Sequence, residues 1–291
     1  MQPQYDHKII NSFYLWAEDR LARVGEASVT GINQNFVYSD LGTPVPPDMY
    51  AYYSNDRQFL TIGDSEVTGI AIPSGVYIDG VFNEQSYTNS TKVIVDNYNG
   101  RVLVSSNVGT TATISGNFPR KEINTYITQH DEEELLLNQE FVVNGTSFLE
   151  ETSQMGWDRY TIPAVFITQA RSDNEPFAMG GTDQTINNLT MVVITDNSYL
   201  LNGTMSLFKD TKNLQLPLLG AFNTPYGGFF DIKSIPYTYT GYTDGQTDYV
   251  HIDNVKTSVF KGGGKITESL KGKYVGFVDF TLSNIRNPRI C

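Results

Sequence analysis

The stretch Leu189-Thr190-Met191-Val192-Val193-Ile194-Thr195-Asp196-Asn197-Ser198 decides how the chain is read. Met191 to Ile194 are all apolar with no polar alternation, the pattern of a strand covered on both faces. Asp196, Asn197 or Ser198 can then accept a backbone N–H at the start of a helix, and Leu201, Met205 and Phe208 follow at helical spacing. Gly203 weakens that helix without breaking it. A buried strand that feeds an amphipathic helix, in a chain otherwise dominated by strand signals, sets the expectation of a β-rich α+β fold.

Working outward, Val275 to Phe280 reads as a final strand, and Ile123–Thr128, Phe141–Val143 and Ile162–Thr168 as others, with Val165 and Ile167 on one face. These imply a mixed or antiparallel sheet. Asp131-Glu132-Glu133-Glu134 reads as a solvated turn between strands, and Tyr237–Tyr249 as a Tyr/Thr/Gly-rich strand or loop. Near the amino end, Ile10, Phe13, Ala17, Leu21 and Val24 make one stripe of a helix from about His7 to Val24. Asp6 is placed to cap it, Gly25 to close it, and Asp19 and Arg23 to pair across one turn on the wet face. Tyr14 and Trp16 broaden the stripe, which serves either a wide core contact or a neighbouring subunit.

Between Gly31 and Ser65 the pattern dissolves. Pro44, Pro46 and Pro47 exclude a helix, and Met49-Tyr50-Ala51-Tyr52-Tyr53 continues towards Phe59 as an aromatic loop that packs back on its own domain or faces a partner. From Ile70 to Phe118 a β module follows. Val76-Tyr77-Ile78 meets Asp79-Gly80, a turn pair suited to a tight hairpin, and then Val81-Phe82; Val93-Ile94-Val95 and Arg101-Val102-Leu103-Val104 flank Asn97-Tyr98-Asn99-Gly100, and Asn107-Val108-Gly109 starts another strand over 111–118. The expected organisation is residues 1–69 as helix and aromatic loop, 70–118 as an inserted small sandwich or barrel, and 119–291 as the α+β core that completes the main domain.

The 291 residues carry a net charge of −12, which argues against a surface that tracks nucleic-acid phosphates. The single cysteine, Cys291, excludes a disulfide framework and a Cys-rich zinc site. No secretory signal is legible and no apolar run reaches membrane-spanning length. The sequons at Asn89, Asn144, Asn188 and Asn202 are those expected of a chain rich in Asn and Thr. His7, His130 and His251 stand far apart and no H-E-x-x-H or G-x-S-x-G occurs. In Lys261-Gly262-Gly263-Gly264-Lys265-Ile266, Ile266 stands where a phosphate loop needs Ser or Thr, so the run reads as a flexible basic loop or a contact for an acidic neighbour. Turn chemistry accounts for Asp96, Asn97 and Asn99, because Tyr98 stands where a calcium loop needs a ligand. The expectation is therefore no catalytic residue, no metal and no cofactor.

Several segments in order, Tyr5–Ala27, Pro73–Phe82, Tyr98–Ser106, Glu122–Thr128, Ile162–Gly181 and Asn197–Thr211, resemble uncharacterised virion structural proteins of marine cyanobacterial myophages. The order of elements is also similar to the α+β core of phage tail-terminator and neck proteins. That resemblance implies a non-catalytic subunit at the neck or tail of a tailed-phage virion, assembled in the host cytoplasm into a homo-oligomeric, hexameric ring. Its partners would be other neck and tail proteins, with no membrane, no sequence-specific nucleic-acid binding, and DNA passing through the ring. Trp16, Tyr50, Tyr52, Tyr53 and Phe59 are the expected subunit-interface anchors, with Lys261, Gly263 and Lys265 as an adaptable contact. The alternative is a receptor- or carbohydrate-binding module of the tail or baseplate, with Tyr239 and Tyr242 stacked on sugar rings.

Overall fold

Thirteen-residue strands set the scale of the molecule. The computed structural model describes residues 5–24, 34–40, 45–54, 58–60, 74–86, 88–143, 159–177, 182–219, 238–261, 270 and 272–286. Helix α1 (Tyr5–Val24) comes first, and strands β1 (Gln34–Tyr38), β2 (Met49–Tyr53), β3 (Gly75–Ile78), β4 (Val81–Glu84), β5 (Val93–Asp96), β6 (Arg101–Ser105) and β7 (Ile114–Gly116) form one sheet. Strand β8 (Asn124–Ile127), helix α2 (Glu132–Asn138), and strands β9 (Glu140–Val143), β10 (Arg159–Ile162), β11 (Ala164–Pro176) and β12 (Asp183–Thr195) follow. Helix α3 (Ser198–Lys209), strand β13 (Gln215–Pro217), helix α4 (Tyr239–Thr243), and strands β14 (Tyr249–Val259) and β15 (Tyr274–Arg286) complete the described chain. The fold is α+β and β-rich.

The larger sheet runs β13-β14-β15-β12-β11-β8, antiparallel except that β8 lies parallel to β11. Leu189 to Thr195 are buried throughout, as a strand covered on both faces requires. One face packs Met191, Val193, Val278 and Phe280 against Phe13 and Trp16 of α1 and Leu201, Met205 and Phe208 of α3. The other sets Phe166, Val192, Ile194 and Val275 against Leu135 and Leu136 of α2 and Phe141 of β9. Asn197 Oδ1 accepts the Leu200 N–H at 2.7 Å and starts α3. Gly276 admits that helix, since a Cβ there would stand 2.4 Å from Met205 Sδ.

The seven-stranded sheet, β4-β3-β7-β1-β2-β6-β5, rolls into a near-barrel because Ser86, just past β4, exchanges backbone hydrogen bonds with Val93 of β5 at 2.9 and 3.0 Å. Its interior is aromatic and β-branched: Phe36, Tyr52, Phe59, Phe118, Val93, Val102 and Ile114. Asp79 and Gly80 form the β3–β4 turn with φ of 48° and 80°.

The structure differs from several expectations. The aromatic stretch is ordered strand, because Tyr52 points into the barrel while Met49, Ala51 and Tyr53 fill a second cluster outside it; burial on both faces hides the alternation. The seven-stranded sheet takes in β1 and β2, which precede Ile70. The acidic run caps and opens α2, with Asp131 Oδ1 accepting the Glu134 N–H at 2.7 Å. Asp6 lies inside α1 and accepts from Ser172 Oγ; Asp19 pairs with Arg23 as expected, but the Asp19 side chain is buried. Gly25 lies outside the described residues.

Candidate functional site

The densest polar cluster lies where the barrel meets the larger sheet. As an edge strand, β8 presents backbone groups that must find partners. Gln58, just past β2, supplies them for Thr125: its Oε1 accepts the Thr125 N–H at 2.7 Å and its Nε2 donates to the Thr125 carbonyl at 2.7 Å. Two residues on, the Tyr98 hydroxyl accepts the Ile127 N–H at 2.9 Å and donates to the Ile127 carbonyl at 3.4 Å. Two side chains of the barrel thus do the work of a neighbouring strand. Burial pushes the Tyr98 phenol well above its ordinary range, which keeps it a neutral donor.

Helix α1 rivets the same seam. Lys121 Nζ donates to Glu18 Oε1 of α1 and, at 3.0 Å, to Gln58 Oε1, while the Tyr14 hydroxyl donates to Glu18 Oε1 at 3.3 Å. Both partners of the Lys121–Glu18 pair are buried. A small cavity of about 20 Å³, bounded by Glu18, Leu21, Leu60, Lys121 and Thr125, adjoins it, with room for about one water. The Thr125 hydroxyl is buried there with no hydrogen-bond partner.

A second buried pair holds Tyr98 in place. Asp96 accepts from Arg101 Nε at 2.7 Å and from Asn99 N and Nδ2 at 3.1 and 2.8 Å, and Arg101 Nη1 donates to the Tyr53 hydroxyl at 3.0 Å. Burial raises the Asp96 carboxyl above the usual carboxylate range, and Arg101 and Asn99 oppose that shift. The turn at 97–100 is thereby a rigid mount for a docking tyrosine.

The residues expected to anchor a subunit interface mostly lie inside the fold. Trp16 packs in the sheet core, 5.2 Å from Phe13 and 5.9 Å from Phe208. Tyr52 and Phe59 fill the barrel, and Tyr53 is buried on its outer face beside Arg101. These four rings are unavailable to a neighbouring subunit in this fold; their aromatic character marked core. Tyr50 is half-buried against Tyr38, and Lys261 is exposed. Gly263 and Lys265 lie outside the described residues. Of the sugar-stacking candidates, Tyr239 is buried with its ring in the sheet core, and Tyr242 is half-buried against the same cluster. Stacking on a sugar would need both rings on the surface.

Sequence reasoning missed Gln58, Lys121 and Glu18, polar residues scattered along the chain with no periodic signal. It located Tyr98 and Asp96 as turn residues without their docking role. It read Tyr77, Val81 and Phe82 only as strand residues of the β3–β4 hairpin, where all three are exposed. The two-residue Asp79-Gly80 turn already sets the register that puts Tyr77 and Phe82 on one face and Val81 on the other. His7 and His251 are exposed, and His130 Nδ1 lies 3.0 Å from Glu134. Among the described residues no three His, Cys, Asp or Glu side chains converge on a position for a metal ion. Compared with known proteins, the chain matches no protein-family model, and no curated protein is detectably similar to it in sequence.

Proposed function

We propose that the chain is a non-catalytic structural subunit of a tailed-phage virion, placed at the neck or tail as a connector- or terminator-type ring component. The observation that carries this reading is the division of side chains between interior and surface. The buried ionic pairs, Glu18–Lys121 and Asp96–Arg101, join parts of the chain to each other. The exposed large apolar side chains sit at the β3–β4 hairpin and at or near strand and helix ends, positions suited to burial against another subunit. Two bodies locked by a polar seam make a stiff block, which suits a part whose work is to hold geometry. The resemblance of six segments to virion structural proteins supplies the particle context. A net charge of −12 favours soluble free subunits, and an acidic wall on a ring's bore would limit adhesion of passing DNA.

Light scattering after size exclusion, with negative-stain microscopy of the same fractions, tests the reading. The expected result is a discrete species of about six copies with a closed outline. A strict monomer in solution that also fails to join purified neck or tail assemblies would overturn it.

A further inference from the structure

Two exposed apolar patches lie on different bodies of the molecule and are framed by charge of opposite sign. On the barrel, Tyr77 is 46% exposed, Val81 66% and Phe82 48%. Tyr77 and Phe82 are cross-strand partners with ring centroids 5.4 Å apart, so they form one surface, whereas Val81 pairs with Ile78 and stands on the opposite face of the hairpin. Exposed Asp79 at the turn and Glu84 at the end of β4 flank it. At one end of the larger sheet, Tyr274 is 46% exposed, Val259 48% and Tyr199 88%. Val259 pairs with Gly276, two residues from Tyr274 and on the same face of the sheet. Tyr274 pairs in turn with Thr195, the last residue of β12, and α3 opens three residues later, which brings Tyr199 to that end. Exposed Lys261 and half-exposed Lys273 bracket this patch. Asp196 shares the end and accepts from Asn197 Nδ2 at 3.0 Å. Among the described residues, none of Asp79, Glu84, Lys261 and Lys273 is in an ion pair.

Single exposed apolar residues need no explanation, whereas clustered ones mark a contact surface. Opposite charge around two such clusters on one chain makes each the complement of the other. We propose that they are the two halves of a head-to-tail interface between copies of this chain, the β3–β4 hairpin of one subunit seated on the Tyr199/Val259/Tyr274 end of the next. Asp79 and Glu84 then face Lys261 and Lys273. Because the two surfaces differ, each added subunit leaves one of each free, and the chain of contacts closes into a ring when the rotation between neighbours divides a full turn. This inference rests on the assembly reading above and names the surfaces that perform it.

Sedimentation velocity of the full chain over a concentration series is the test. Phe82→Ser and Tyr274→Ser should each weaken self-association by about tenfold or more, because they remove a central anchor. Glu84→Lys and Lys273→Glu should each weaken it by about threefold to tenfold, and the double variant should recover most of the loss, because the charges then face each other in reverse. All four positions are exposed or partly exposed, so unchanged thermal midpoints would show that folding is intact. A wild-type assembly indifferent to all four substitutions would overturn this interface and leave the ring reading standing. Failure of the charge-swapped pair to recover would overturn the pairing of these two patches. A wild-type chain that stays monomeric across the series would overturn the interface, and joining neck or tail assemblies decides the reading separately.

Discussion

In the barrel, Asp96 and Arg101 are buried together at the turn between β5 and β6; at the larger sheet, Glu132 of α2 and Asp279 of β15 stand near the surface with the same sign, and the Asp279 charge adds to burial in raising the Glu132 carboxyl. The barrel is rolled from strands of three to five residues, and its turns must carry part of its order. The sheet has strands of up to thirteen residues with apolar layers on both faces, and it leaves Asp279 exposed in mid-strand. One body uses an internal ion pair to set geometry; the other is ordered by apolar layering and tolerates an unfavourable pair outside. The two meet through a polar seam, Gln58, Lys121, Glu18 and Tyr98, whose contacts fix direction more strictly than apolar packing does.

Removing the guanidinium of Arg101 should produce the largest effect. Arg101→Met leaves the Asp96 carboxylate fully buried with only Asn99 as donor and strips the Tyr53 hydroxyl of its partner. Breaking a buried pair from one side costs about 3–5 kcal/mol. Urea unfolding should show that loss. A loss below about 1 kcal/mol would mean that a protonated Asp96 is accommodated at no cost and that the pair does not brace the barrel.

The seam gives the second test, because its ion pair spans distant parts of the chain instead of a turn. Lys121→Met or Glu18→Met alone should cost about 2–3 kcal/mol, less than Arg101→Met because the adjoining cavity lets water reach the orphaned group. The double variant should come within about 1 kcal/mol of wild type, since two apolar side chains of similar volume replace a desolvated pair. Strictly additive losses would show that Glu18 and Lys121 do not act on each other, and the rivet would have to be assigned to Gln58 alone.

The contrast between the bodies also explains how much of each was legible in the sequence. Met191 to Ile194, the Asn197 cap and the Leu201–Met205–Phe208 stripe are local signals carried by neighbouring residues, and they stand in the structure as read. The Asp79-Gly80 turn is local in the same sense, and so is Asn97 to Gly100. Strand β2 was not legible because Tyr52 and Tyr53 are buried on opposite faces behind three prolines, a pattern that periodicity cannot separate from an aromatic loop. The acidic run hid α2, since charges at a helix start look like a solvated turn until a cap is seen. The seam was least legible: Gln58 and Thr125 meet only after both bodies have folded. Four of the expected interface anchors, Trp16, Tyr52, Tyr53 and Phe59, are buried within the chain for a related reason. Large aromatics indicate burial, and only the completed fold decides whether that burial lies within a chain or between chains.

The smallest expected effect probes the exposed acidic pair at the larger sheet. Burial, then the Asp279 charge and then that of Asp131, raise the Glu132 carboxyl above its ordinary value. Folded protein therefore binds the Glu132 proton more tightly than unfolded chain does. The ionised group opposes folding at neutral pH, that opposition shrinks as pH falls through the raised value, and below the unfolded value it is gone. Against this stands the amino end of α2, where negative charge is favoured by the helix dipole. Burial and two like charges are set here against a helix of only two turns, whose dipole is the weaker influence. Glu132→Gln should accordingly raise the thermal midpoint slightly at pH 7 and leave it unchanged below about pH 4, where both variants are neutral at this position. A lower midpoint at pH 7 would place the dipole above the repulsion, and the surface of the sheet would then be as well matched in charge as the turn of the barrel.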